Sequence, residues 1–502
     1  MMKSTMEKRL IGVALVLALA AGLATCGPGA DSNPTVLIPK DGAGSIRVRL
    51  MFGAGSAYDP DGKEGLAHFT AAALKRGSAR FSRSEIDSKL DAMAARLTVE
   101  VEREVSIIEG LCLTESWPEF SDLFFSVITE PRFDPTEMTA LVSDQLDEIE
   151  QIKRDDADLA KAALQYYIYK DHPYGHPTAG LEHTVKTFTA QDARAFFRDH
   201  YTSGNYTLGL AGDVSDTLAR SIHRVLKSAL TDGAPARPVL PDPIITSTQV
   251  YLIEKENRAQ AQLRFGRPID ITRRDPDFVP LFLVNSYLGR HRESMGQLYR
   301  QIRAARGLSY GAYSYAEHFE QEGWSNLARP GLPRRQQYFS VWVYPKSINA
   351  NFVIRIVMKM LADLREQGLT AQQLDAARRF EINHFPFEIE TPRRLLGMRM
   401  DEVAYGTPAF VDSFTARAAA VTVEDAKRAI QRAIDPSSMV IVAVVSDAEQ
   451  FATSLLGDQV MFQYPSGVDP RGLRQADRPF LNYTLPIQAG NIRIVKAEEM
   501  FR

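Results

Sequence analysis

Arg303 and Tyr310 stand seven positions apart in "RQIRAARGLSY" and bring together a guanidinium and a phenol. The first can hold a peptide carbonyl or carboxylate with several donors. The second can hydrogen-bond the oxyanion that forms when water attacks a carbonyl. His68, in the helical stretch "GLAHFTAAALKRG", offers one imidazole without a neighbouring carboxylate to activate water. His172, His176 and His183 lie in or beside the Pro- and Gly-marked loop "HPYGHPTAG". Their spacing follows no regular helix face, so they are expected to be polar loop residues and not a ligand set.

These residues must be positioned by regular elements. Arg303 falls at the end of a helix expected over 277–304, Gly307 suits the turn that ends it, and Tyr310 opens a strand. In that strand Tyr313 and Tyr315 alternate with Ala312 and Ser314, a face that either lines a substrate cavity or packs in a core. Residues 189–214 align without gaps on residues 422–447, each running from Thr-x-x-Asp through an amphipathic helix and a polar turn to an apolar strand. The chain is therefore two equivalent halves, with a Pro-rich linker at 231–248.

In the first half, "SIRVRLMF" alternates Ile46, Val48, Leu50 and Phe52 with Arg47 and Arg49, the pattern of a strand with one face in solvent. Further strands are expected in "RLTVEVE" and "VSIIEGLCL", with helices near 64–76, 83–95, 116–129, 135–153 and 157–170. The second half repeats the theme, with strands in "QVYLIEK", "QAQLRFG" and "YFSVWVYP" and a helix near 348–366. Strands and helices are segregated, which indicates an α+β class: two homologous domains, each a mostly antiparallel sheet packed with helices. "ARPGLPRRQQ" at 328–337 reads as an exposed loop or a partner contact, and "RRDPD" at 273–277 as a solvated turn. The expected domains are 34–230 and 249–448, followed by an appendage over 449–502 with strand-like alternation in "NIRIV".

"GLAHF" at a helix start, "HPYGHPTAG" downstream and "RQIRAARGLSY" in the second half together resemble the pitrilysin, or insulinase-like (M16), metallopeptidases, from about residue 34 to 448. In that family the helix carries His-x-x-Glu-His: the two histidines and a downstream Glu bind zinc, and the intervening Glu deprotonates the bound water. On this chain the motif positions are His68, Ala71 and Ala72, with Glu148 in the neighbourhood of the third ligand. Ala71 has no carboxylate and Ala72 no imidazole, so no metal or other cofactor is expected in this chain. The resemblance also implies that Arg303 and Tyr310 project into the zinc site of a partner. The chain then looks like the non-catalytic subunit of a two-chain peptidase, with zinc in a homologous partner and peptides or unfolded polypeptides as substrates. Two other readings stand beside this one: a proteolytically inactive scaffold or binding protein on the same fold, and an autonomous peptidase with a rebuilt site.

A net charge of −3 with interspersed signs gives no reason to expect nucleic acid as a partner. Lys3, Lys8 and Arg9 precede the apolar run "LIGVALVLALAAGLAT", too short to span a bilayer and typical of an export signal over residues 1–25. Cys26 follows where a bacterial lipoprotein is cleaved and acylated, and Gly27 favours the outer membrane by the same resemblance. The expected location is the periplasmic side of the bacterial envelope, with a lipid anchor. With Cys26 acylated no internal disulfide can form, and Cys112 in "IIEGLCL" is a small buried hydrophobe. A Cys26→Ser protein is expected to move from the membrane fraction to the soluble fraction; partitioning identical to the parent removes the lipid anchor.

Overall fold

The structure is a computed structural model that describes residues 33–502 apart from Trp324 and Asp458. Cys26 and the export signal lie outside the described residues. Five strands form a first sheet: β1 (Thr35–Pro39), β2 (Ser45–Phe52), β3 (Arg96–Val101), β4 (Ser106–Leu113) and β5 (Tyr206–Gly212), in the order β1-β5-β2-β4-β3. Six form a second: β6 (Gln249–Glu254), β7 (Gln262–Ile269), β8 (Ser309–Tyr315), β9 (Gln337–Pro345), β10 (Val440–Val445) and β11 (Ile492–Lys496), in the order β11-β6-β10-β7-β9-β8. Pairing is antiparallel except at one end of each sheet, where β1 runs parallel to β5, and β11 and β6 run parallel to each other and to β10. The fold is α+β, with two mixed sheets packed by helices.

The repeat survives in three dimensions. Helix Ala190–His200 leads into β5 and helix Val423–Ala433 into β10, and each opens on a reciprocal cap, Thr189 with Asp192 and Thr422 with Asp425. Such a cap satisfies two amides that the first turn leaves bare, and it fixes where each helix begins. The halves also exchange cover. Helix Asp156–Ile168 of the first half packs on β7 and β10, and helix Pro392–Tyr405 of the second packs on β1 and β5. Both contacts use a glycine as the close-approach point. A Cβ at Gly266 would lie 2.8 Å from Ile168 Cδ1, and one at Gly209 would lie 2.6 Å from Met400 Sδ.

This exchange overturns the expectation for β2. Its Arg face is not in solvent: Arg49 is 1 % exposed and Met51 is buried, because Leu396 and Met400 of the second half cover that side. Buried Arg49 and half-buried Arg47 need a counter-charge, and Glu109, directly opposite Arg49 on β4, supplies it. Arg49 Nε donates to Glu109 Oε2 at 2.6 Å, Arg47 donates to Oε1, and Arg393 from the second half joins Oε1 at 3.1 Å. Burial opposes ionisation of Glu109, but Arg49, Arg47 and Arg393 outweigh it and hold the carboxyl below its usual range.

The loop at 328–337 is likewise not free, and of its residues only Arg335 is exposed. It wedges between the halves, where Arg329 pairs with Glu100, Arg334 with Glu102 at 3.0 Å and Arg335 with Glu104 at 2.5 Å. "RRDPD" is also built in. Arg273 reaches Glu317 at 2.9 Å and Asp401 at 2.7 Å, and the buried Asp277 accepts from Arg428 and Arg432. Sequence composition marks such residues as surface, and only the second half's placement puts partners beside them.

The helix expected over 277–304 is two pieces, Phe278–Gly289 and a π-helical turn Tyr299–Ala304. Between them Arg290 turns inward to bind Glu381 and, at 2.5 Å, Glu388, which ends the first piece. The C-terminal segment is bound to both halves: β11 extends the second sheet, and Ala497, Met500 and Phe501 are buried in the first half's core. Phe501 O accepts from Glu182 N at 2.8 Å. Glu109→Gln leaves Arg49 buried without its counter-charge, and should lower stability by about 3–5 kcal/mol in urea titration; a change under about 1 kcal/mol, the range of exposed pairs, would show the cluster to be incidental.

Candidate functional site

Helix Leu66–Ala73 is held by its beginning. Asp59, buried, accepts from the amides of Gly65 at 2.7 Å and Ala67 at 2.6 Å. Gly65 packs against Gly180, where a Cβ would meet Gly180 Cα at 2.7 Å. Gln145 Nε2 donates to Gly65 O at 3.0 Å and to Ala179 O at 2.8 Å, and Thr184 Oγ1 donates to Glu64 O at 2.7 Å. Three distant segments thus position one helix start, while Leu66 and Phe69 anchor its inner face in the core.

From this helix His68 points outward, and its Nε2 lies 3.1 Å from Glu148 Oε2 on helix Pro135–Arg154. Burial opposes the Glu148 charge, but the His68 contact brings the carboxyl below its usual range. Ala71 is buried and Ala72 half-buried. A catalytic zinc needs about three protein donors; His68 and Glu148 are two, and a methyl group stands at Ala72. Among the described residues no cluster of three or more His, Cys, Asp or Glu is arranged to hold a metal ion. The residues present do not fit a catalytic zinc.

Two of the three histidines, His172 and His176, are internal struts, in contrast to the polar loop residues expected, whereas His183 is exposed as expected. His172 and His176 are buried. His172 Nδ1 accepts from Tyr174 N at 2.9 Å, and its ring packs against Tyr169 and Tyr174. His176 places Nδ1 at 2.8 Å from Pro177 O and Nε2 at 3.7 Å from Asp59. His183 Nδ1 lies 2.7 Å from Arg502 O. The three are in separate settings and do not converge. Cys112 is buried and free, and burial pushes its thiol up to about 12, which leaves it unreactive.

In the second half the structure brings Arg303 and Tyr310 together. The Arg303 guanidinium carbon lies 3.9 Å from the Tyr310 ring centre and 5.1 Å from that of Tyr299. Gly307, at φ +60°, makes the turn, its amide donating to Arg303 O at 2.9 Å. Tyr310 is 69 % exposed, so a phenol and a guanidinium edge are presented together at the surface. The turn is fixed from behind: buried Arg306 pairs at 2.7 Å with buried Asp477 of the C-terminal segment. Tyr313 and Tyr315 are buried, and Tyr315 OH lies 2.9 Å from His291 Nδ1. Among the described residues no hydrogen bond, ion pair or ring contact joins Arg303 or Tyr310 to His68 or Glu148. Sequence reasoning missed Asp59 and His291, for which spacing carries no signal; Asp59 precedes its helix by a loop, and His291 falls inside the expected helix.

Residues 35–182 match the family model for insulinase (peptidase family M16), and residues 187–380 match that for the peptidase M16 inactive domain. The chain belongs to the M16 peptidase family. It is 22% identical over 350 residues to the "uncharacterized zinc protease YmxG" of Bacillus subtilis, covering 69% of this chain and 78% of that one. It is 21% identical over 362 residues to the "non-peptidase homolog YmxG" of Helicobacter pylori, covering 72% and 79%. In three dimensions it is similar to the peptidase M16 inactive domain from Pseudomonas fluorescens, with a TM-score of 0.74, 23% identity, and coverage of 83% of this chain and 97% of that one.

Buried titratable groups around this frame set a pH dependence. Burial pushes His176 down to about 4 and His291 down to about 3, so each favours the folded state above its unfolded value near 6.5 and loses that contribution as pH falls. Asp59 has the opposite sign. Burial, opposed by the amides of Gly65 and Ala67, pushes it up to about 8, so its contribution is lost as pH rises from its unfolded value near 4 toward 8. Burial likewise pushes His318 down to about 3 and His384 down to about 4, so between pH 6.5 and 4 the histidine protons outweigh the one aspartate proton. Stability in urea is therefore expected to peak near pH 6.5, to fall by on the order of 1 kcal/mol per pH unit on the alkaline side and to fall more steeply on the acid side. Asp59→Asn should flatten the alkaline limb and spare the acid one; an unchanged alkaline limb would show that Asp59 is ionised in the fold.

Proposed function

We propose that this chain is the zinc-free subunit of a two-chain M16 peptidase, located in the bacterial envelope through a lipid-modified Cys26. A zinc-bearing homologue supplies the metal, and this chain supplies Arg303 and Tyr310. The observation that carries the reading is the pairing of two retained donors with a lost metal set: an exposed phenol and guanidinium 3.9 Å apart in the second half, against two remaining donors at the motif helix in the first. In this reading Arg303 holds the peptide carbonyl or a carboxylate, and the Tyr310 hydroxyl donates to the oxyanion formed as water attacks. The substrates are peptides or unfolded polypeptides bound in extended form. The stacked arrangement keeps both groups ready, because Arg303 is sandwiched between Tyr299 and Tyr310 and loses little freedom on binding.

The test is made in trans. Mixed with the zinc-bearing partner, the parent chain should support peptide hydrolysis, and Arg303→Ala or Tyr310→Phe in this chain should lower turnover by roughly 30- to 1,000-fold with zinc content and assembly unchanged. Phe keeps the ring, and so the stacking on Arg303, and removes only the hydroxyl. Parental turnover in both mutant complexes would move the assignment to a scaffold or binding protein on the same fold.

A further inference from the structure

Among the described residues Arg264 is a buried cation that no hydrogen bond or ion pair answers. It stands on β7 directly beside Trp342 of β9, and Trp342 stands beside Tyr313 of β8, so the three form a row across one face of the second sheet. Its side chain is more than nine-tenths buried, yet among the described residues it makes no hydrogen bond or ion pair, and its Nε has no partner. Its guanidinium lies over the Trp342 ring, the guanidinium carbon 4.2 Å from the ring centre. Elsewhere in the second half comparable arginines are answered: buried Arg334 by Glu102, and half-buried Arg273 by Glu317 and Asp401. The acids whose fields reach Arg264, Asp158 and Glu320, stand beyond ion-pair distance, and Glu320 is already engaged by Lys161 and His318.

A guanidinium removed from water without a counter-charge is costly, and the ring face offsets only part of the cost. The arrangement is what a carboxylate site requires before its ligand arrives: a planar fork of donors held against an aromatic wall. The wall continues toward the exposed pair. Trp342 packs on Tyr313 at 5.6 Å and on Tyr344 at 5.1 Å between ring centres, and Tyr344 lies over Gly311, the neighbour of Tyr310. Arg264 is two strands in from β8, roughly 10 Å, and Tyr310 is three residues along β8 from Tyr313, roughly 10 Å more at right angles. The separation is therefore roughly 14 Å, about four residues of extended peptide.

We propose that Arg264, backed by Trp342, is a docking site for a peptide carboxylate about four residues from the bond presented to Arg303 and Tyr310. The inference rests on the peptide-binding reading above. The carboxylate comes either from a peptide C-terminus or from an acidic side chain, and it makes this chain the part of the enzyme that measures substrate by its charge.

The test is equilibrium binding to this chain alone, so that it stands or falls apart from turnover. Three fluorescein-labelled peptides of roughly ten residues are compared by anisotropy: one ending in a free carboxylate, its C-terminal amide, and the amide with one internal glutamate. One acidic peptide should bind about 10-fold or more tightly than the plain amide, and which one does so identifies the source. Arg264→Met should remove that preference without weakening the amide, and Arg264→Lys should restore part of it. Equal affinity of the acidic and amide peptides for the parent chain overturns the proposal, as does a failure of all three to saturate. That comparison needs no variant to fold. Retained preference in Arg264→Met also overturns it, and if that variant melts early, loss of preference in a folded Arg264→Lys supports the site while full preference with unchanged affinity refutes it. Hydrolysis that depends on Arg303 and Tyr310 without any carboxylate preference would sink this proposal alone.

Discussion

Glu109 faces Arg49 across two strands of the first sheet, and its carboxylate also gathers Arg47 and, from the far half of the chain, Arg393. Taking those charges out of water is unfavourable unless every partner is in place, so this cluster penalises any arrangement of the halves that separates its members. The chain of charges continues from Arg393 to Glu322, Arg394, Glu388 and Arg290, which ends a helix near the Arg303 turn. The arginines of the 328–337 loop add three more links to the hairpin that carries Glu109. Displacing one half would strand several buried ions at once.

Within that frame the motif helix keeps its place although it lacks a metal donor set. Asp59, Gln145 and Thr184 tie down its first turn, and Leu66 and Phe69 belong to the core. Ala71 is buried and Ala72 half-buried, so at both positions a methyl group packs in the fold and offers no donor. His68 and Glu148, left without a third donor, meet each other.

The second candidate site is stiffened from an unexpected quarter. The C-terminal segment places Asp477 on Arg306 in the middle of the Arg303–Tyr310 turn, Pro465 against Gly307, and Phe501 in the first half's core. One segment thus supports the exposed pair and fastens the halves. The buried Arg264 lies on the same sheet as that pair, and its row of aromatic neighbours links the two.

The duplication, the α+β class, most of the strands and the helices of the first half up to residue 170 were legible in the sequence, whereas helices Ala371–Glu388, Pro392–Tyr405 and Phe410–Ala420 were not. Caps such as Thr189–Asp192 and the alternation in "SIRVRLMF" act over a few residues, and periodicity reports them directly. That alanine stands at 71 and 72, and an arginine and a tyrosine at 303 and 310, is also plain in the sequence; the roles proposed for these positions come from the family resemblance. What the sequence does not contain is the identity of distant partners. It marked Arg47 and Arg49 as a solvent face, 328–337 as an exposed loop and His172 and His176 as polar loop residues, yet Arg49, Arg334, His172 and His176 are buried and Arg47 is half-buried. Glu109 is 60 residues from Arg49 and 284 from Arg393, and Arg334 is 232 from Glu102. Local spacing carries no information over such separations, so only the closing of one half upon the other decided which charges were buried, which were answered, and that Arg264 was not.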